Sequence, residues 1–164
     1  MYLLSYHRRR GRRAGEVVGD VFGASVCVAT LGGVQQRAAL AVQPAVEQIA
    51  CALQRVKVGH FDESGLRVNA TLHWLHVAST SRLTHYTVAK QRGPAGMNAS
   101  GILPAFSGVA LHDGWAAYFV YSCRHALCNA HHLRELTALG EQDASGQAWA
   151  GQMQTLLRDG KHAV

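Results

Sequence analysis

Val56-Lys57-Val58-Gly59-His60-Phe61-Asp62-Glu63-Ser64-Gly65-Leu66-Arg67-Val68 carries two changes of texture in thirteen residues. Its first part, Val56 to Phe61, is short and β-branched and predicts a strand. An acid pair, Asp62-Glu63, closes that run. Gly65 follows, and Leu66 to Val68 predicts a second short strand. Leu72 to Ala78 and Leu83 to Ala89 continue the pattern, rich in Val, Thr, Trp and Tyr. Asn69-Ala70 and Ser79 to Ser81 fit turns between them.

Downstream, Arg92 to Ala105 predicts a weak helix, hampered by Pro94, Gly96 and Gly101. Gly108 to Leu111 is a further strand, stopped by Asp113-Gly114. Trp115, Tyr118, Phe119 and Ser122 follow helical spacing. Ala126 to Asn129 is a short strand, and His131 to Leu157 is helical with interruptions at Gly140 and Gly146. Upstream, residues 14–55 read as helical. Val46, Ile49, Ala50 and Leu53 make one apolar face, Pro44 suits a first helical turn, and Gly32-Gly33 marks a break before it. The expected organisation is a helical segment over 1–55 and an α/β domain over 56–164. Consecutive strands on short turns imply an antiparallel meander, extended by strands on helical crossovers. That is the element order of a ribonuclease H-like α/β domain.

The chain has 164 residues, enough for one domain with a real core. Its formal charge is +6, but Arg8, Arg9, Arg10, Arg12 and Arg13 supply five of those charges, leaving +1 for residues 14–164. The run is either a solvated charged end or an arm that contacts phosphate. An apolar fraction of 48% and a mean hydropathy of -0.02 argue against disorder of the whole chain. Val21 to Gln36 carries no charge, yet it is too short and glycine-broken to span a membrane. Glu16 and Asp20 stand where the apolar part of an export signal would begin. A cytoplasmic, soluble protein is the expectation. Cys27, Cys51, Cys123 and Cys128 are too scattered for a disulfide framework, and Cys27 and Cys51 are expected as buried free thiols.

Acids are scarce, with ten in all. Asp62 and Asp113 each follow a predicted strand. Taken singly, each is a turn former. Taken together on adjacent central strands, their carboxylates would converge at one sheet edge. Hard divalent cations take such oxygen ligands and bridge them to phosphate. A second cluster runs from Cys123 through His125, Cys128 and His131 to His132. It reads either as a cramped zinc site on Cys123, Cys128 and His131, or as a buried strand entering a helix with Asn129 as N-cap. His73, Trp74 and His76 read as packing residues on a strand, with base stacking by Trp74 or Trp115 unsupported.

Phe61-Asp62-Glu63-Ser64-Gly65-Leu66-Arg67-Val68 and His73 to Thr80 resemble the insertion-sequence sixty-six family of bacterial transposases. So do Arg92-Gly93, Gly101-Ile102-Leu103-Pro104, Val109 to Tyr118 (VALHDGWAAY) and His125 to Leu136 (HALCNAHHLREL), in that order. The resemblance covers nearly the whole chain and is strongest over 56–136. It implies a ribonuclease H-like core, an Asp-Asp-Glu triad, Mg²⁺ (or Mn²⁺) as cofactor, and DNA strand cleavage and transfer. Asp62 matches the family's first Asp and Asp113 its second, as catalytic and metal-holding residues. The family's Glu lies in a later Asn-rich motif, and Glu135 is not its counterpart. The resemblance therefore implies a core incomplete at its C-terminus, and a truncated, inactive transposase fragment. The alternative is a non-catalytic DNA-binding or dimerising fragment that modulates an intact transposase. The implied partner is DNA, as transposon ends and target; a homo-oligomer is left open, and no membrane is involved.

Overall fold

A computed structural model describes residues 11–142 and 147–162. Arg8 to Arg10 and the predicted interruption at Gly146 lie outside the described residues. The chain divides into two units, Met1–Gln48 and Ile49–Val164.

The first unit contains helix α1 (Gly11–Phe22) and most of helix α2 (Val28–Leu53). Cys27 precedes α2, and its sulfur accepts from Thr30 N at 3.4 Å, in the manner of an N-cap. Two expectations fail here. The helix runs unbroken through Gly32-Gly33, and Pro44 lies inside it rather than in a first turn. Each glycine weakens a helix by only about 1 kcal/mol, which a 26-residue helix absorbs. Cys27 and Cys51 are exposed rather than buried, because α2 is largely solvated along that stretch.

The second unit is built on strands β1 (Val58–Val68), β2 (Thr71–Ser79), β3 (Thr84–Ala89), β4 (Val109–His112) and β5 (Arg124–Leu127). They form one five-stranded sheet in the order β3-β2-β1-β4-β5. β1, β2 and β3 pair antiparallel, whereas β4 and β5 run parallel to β1. The two short strands expected around Gly65 are one eleven-residue strand, so the acid pair sits inside β1 rather than after it. Asn69 and Ala70 turn the chain with φ of 49° and 62°. That is the primed geometry whose twist suits a two-residue hairpin.

Between β3 and β4 the expected weak helix is two helical turns, α3 (Pro94–Met97) and α4 (Ile102–Ala105). A 3₁₀ turn (Asn98–Ser100) and Gly101, at φ 66°, separate them. The span from Trp115 to Ser122 contains a 3₁₀ helix, Ala116–Val120. After β5, α5 (Asn129–Gln142) passes through Gly140 without a break, and α6 (Ala148–His162) follows. Gln154 Nε2 donates to Thr137 Oγ1 at 3.0 Å between them. Asn129 opens α5 as its first residue, and Cys128 takes the cap position. The Cys128 carbonyl accepts from His131 N at 3.0 Å.

Burial alternates along β1: Gly59, Phe61 and Glu63 are buried, and Val58, His60, Asp62 and Ser64 are exposed. Register extends this to the sheet. Phe61 pairs Ala78 and Gly59 pairs Ala110, so all four share the buried face. Met97, Ile102, Leu103, Phe106, Tyr118 and Leu53 complete that core. Phe61 and Phe106 meet edge to face at 5.2 Å. The opposite face, with Val58, Asp62, Tyr86 and Val88, is exposed.

Candidate active site

β1 and β4 pair at Val58–Val109, Gly59–Ala110 and His60–Leu111, a constant offset of 51. The same offset separates Asp62 from Asp113. Each lies two residues beyond the His60–Leu111 pair: Asp62 is exposed within β1, and Asp113, partly buried, directly follows β4. A parallel pair keeps its register over the paired residues, so Asp62 and Asp113 leave that pairing at the same offset.

Local hydrogen bonds orient both carboxylates. Glu63 N donates to Asp62 Oδ1 at 2.9 Å. Trp115 N donates to Asp113 Oδ1 at 2.8 Å, an Asx-type turn completed by Gly114 at φ 91°. Among the described residues neither aspartate forms an ion pair. Each therefore keeps oxygen lone pairs free, and this donor set fits a hard divalent cation. Among the described residues, no three His, Cys, Asp or Glu side chains gather as a metal site. Cys123, Cys128 and His131 therefore do not assemble the zinc site weighed above. Cys123 lies buried in the core, where burial pushes its thiol up.

Glu63 neighbours Asp62 in sequence but points to the buried face. It therefore cannot join the two aspartates. Its side chain is 1% exposed and receives Arg92 Nη2 at 2.8 Å and Tyr118 OH at 2.5 Å. Arg92 in turn lies 4.1 Å over Trp115 and 5.0 Å over Trp74. Trp74 and Trp115 thus hold an arginine. His76, buried, bonds the Gln91 carbonyl at 3.1 Å through Nε2.

Tyr118 also stacks on His112, with centroids 4.4 Å apart. Burial, then His125, lowers the basicity of His112, and Asp113 opposes them. The neutral ring accepts from Gly114 N at Nδ1 (3.0 Å), so its proton sits on Nε2, which donates to His125 Nδ1 at 3.0 Å. His125 Nε2 then donates to the Tyr121 carbonyl at 3.1 Å. This network beneath the aspartates escapes a reading of the sequence as strands and turns. One signal for it was available. An acid next to Asp62 on a strand must face the other way, into the core, and there it needs a cation.

Sheet order and polarity define a ribonuclease H-like α/β domain. The chain belongs to the IS66 transposases: the family model described as "Transposase IS66 family" matches residues 11–163. No curated protein matches the chain. Among solved structures, it is similar to a chain of the simian T-cell lymphotropic virus intasome in complex with the PP2A regulatory subunit B56 gamma. That likeness has 13% identity and a TM-score of 0.35, and covers 57% of this chain and 46% of that one.

Proposed function

We propose that the Ile49–Val164 unit has the architecture of a transposase catalytic domain and binds DNA, with Asp62 and Asp113 as its divalent-cation ligands. The observation that carries this reading is the shared offset of 51 between the strand pairing and the two acids. Mg²⁺ (or Mn²⁺) held there would neutralise charge at a scissile phosphate and acidify water. The chain's own contribution is placement. Trp115 N and Glu63 N fix one oxygen of each carboxylate and leave the other free. The Asp62 carboxylate lies on the exposed face of the sheet, and no covalent step is asked of a side chain.

Among the described residues no third carboxylate reaches the pair. We therefore infer that this chain alone holds DNA and cation without cutting. Removing one member of a cooperating catalytic set abolishes most of its activity. End-labelled transposon-end DNA, incubated with Mg²⁺ or Mn²⁺ beside Asp62→Asn and Asp113→Asn, tests this. The expected result is cation-dependent retention of DNA that both substitutions weaken, with no cleavage above the variants. Cleavage by the wild type alone would overturn the inactivity. Cation-independent retention, untouched by either substitution, would favour a non-catalytic DNA-binding fragment.

A further inference from the structure

We propose that Glu63 is a positioning residue for the Asp62–Asp113 pair, clamping β1 to the segment that follows β4. The inference rests on the cation reading above. Glu63 is enclosed, with a side chain 1% exposed. Its Oε2 accepts from Tyr118 OH at 2.5 Å, and its Oε1 accepts from Arg92 Nε at 2.9 Å and Nη2 at 2.8 Å. Both contacts lead to Asp113. Tyr118 belongs to the 3₁₀ helix that follows Asp113, and the Arg92 guanidinium lies over Trp115, whose amide holds Asp113 Oδ1. On the other side, the backbone N–H of Glu63 holds Asp62 Oδ1. One residue therefore connects the anchors of both carboxylates from the face opposite the site.

Register alone does not do this. The last β1–β4 pair is His60–Leu111, two residues short of the aspartates. Beyond it, the two strands need another tie to stay level, and the Glu63–Tyr118 bond is that tie. A buried acid on a strand is a costly way to fill space, since an apolar side chain of similar volume does so without desolvating a charge. Its return is a fixed geometry, as hydrogen-bonded outer partners give ligands elsewhere.

Tyr118→Phe is the direct test, because it deletes one oxygen and leaves the ring on His112. Amide hydrogen exchange is read without metal. Exchange at Trp115 and Glu63 is expected to rise about tenfold, with Ala110 in the sheet core unchanged. Mn²⁺ affinity, read by paramagnetic resonance, is expected to fall about tenfold. Glu63→Gln keeps an acceptor for Tyr118 and is expected to lose less affinity than Glu63→Ala. Unchanged exchange at both amides would overturn the clamp, and so would a uniform rise across the sheet, which is plain destabilisation. Should the wild type bind no Mn²⁺, or bind it equally in Asp62→Asn, the cation reading falls instead. The exchange at Trp115 and Glu63 still decides the clamp.

Discussion

Ala70 occupies φ 62° next to Asn69 at 49°. Asparagine tolerates that region, whereas a β-carbon strains there. Ala70→Gly removes the strain at some cost in chain entropy, and is expected to stabilise the unit by about 0.5–1 kcal/mol. Urea unfolding followed by circular dichroism checks it. The cysteines differ for equally local reasons. Hydrogen bonds from the Thr30 hydroxyl and backbone lower the Cys27 thiol, whereas burial raises Cys123. Only the thiolate reacts, so alkylation of Cys27 should rise at a lower pH than that of Cys123. Mass spectrometry after timed iodoacetamide pulses from pH 6 to 9 distinguishes them (roughly the range in which thiols ionise). Equal profiles would contradict the cap geometry. The exposure of Cys51 was not legible in the sequence. It depends on which side of a helix is covered, and α2 is covered at Leu53 but not at Cys51.

At the scale of elements, the strands after residue 56 were legible because alternation and turn chemistry are local. The helical character between β3 and β4 was legible too, but its division into two separate turns was not, because tertiary contact sets it. Gly96 shows why. A β-carbon there would stand 1.9 Å from the Gln91 carbonyl oxygen and 2.6 Å from His76 Nε2. The turn of α3 thus depends on close backbone approach, which periodicity does not reveal. Gly96→Ala is expected to cost about 3 kcal/mol, near the upper end for overpacking, as a lowered urea midpoint. The Glu63–Tyr118 tie between β1 and the 3₁₀ helix makes a second prediction. Burial first, then the bond to Glu63, raises the Tyr118 phenol far above its ordinary value. In the unfolded chain that phenol ionises near pH ~10. Above it the unfolded state binds fewer protons than the folded one, so stability falls with rising pH, by up to about 1.4 kcal/mol per unit. Urea unfolding between pH 8 and pH 11 should show that fall, and Tyr118→Phe should flatten it (a range that brackets the free phenol). Tyr121 and Cys123 shift in the same direction in both proteins, so the difference isolates Tyr118.

At the scale of the molecule, the +6 charge is a minor pointer toward a nucleic-acid partner. Three of the five N-terminal arginines lie outside the described residues. Arg12 pairs with Glu16 at 3.4 Å on an exposed helix face, a contact worth little. What points to DNA is the family and the two aspartates. The aspartates were legible in the sequence as acids that follow strands, whereas the parallel β1–β4 register that shares their offset of 51 was not, because it is a property of the folded sheet. Among the described residues, no helix is long and apolar enough to cross a membrane. We propose Asp62 and Asp113 as joint ligands of one divalent cation. Titration of Mn²⁺ into the wild type, Asp62→Asn and Asp113→Asn, followed by paramagnetic resonance, tests it most directly. One saturable site is expected in the wild type, with a loss of at least about tenfold in affinity in each variant. Equal binding by all three proteins would contradict it.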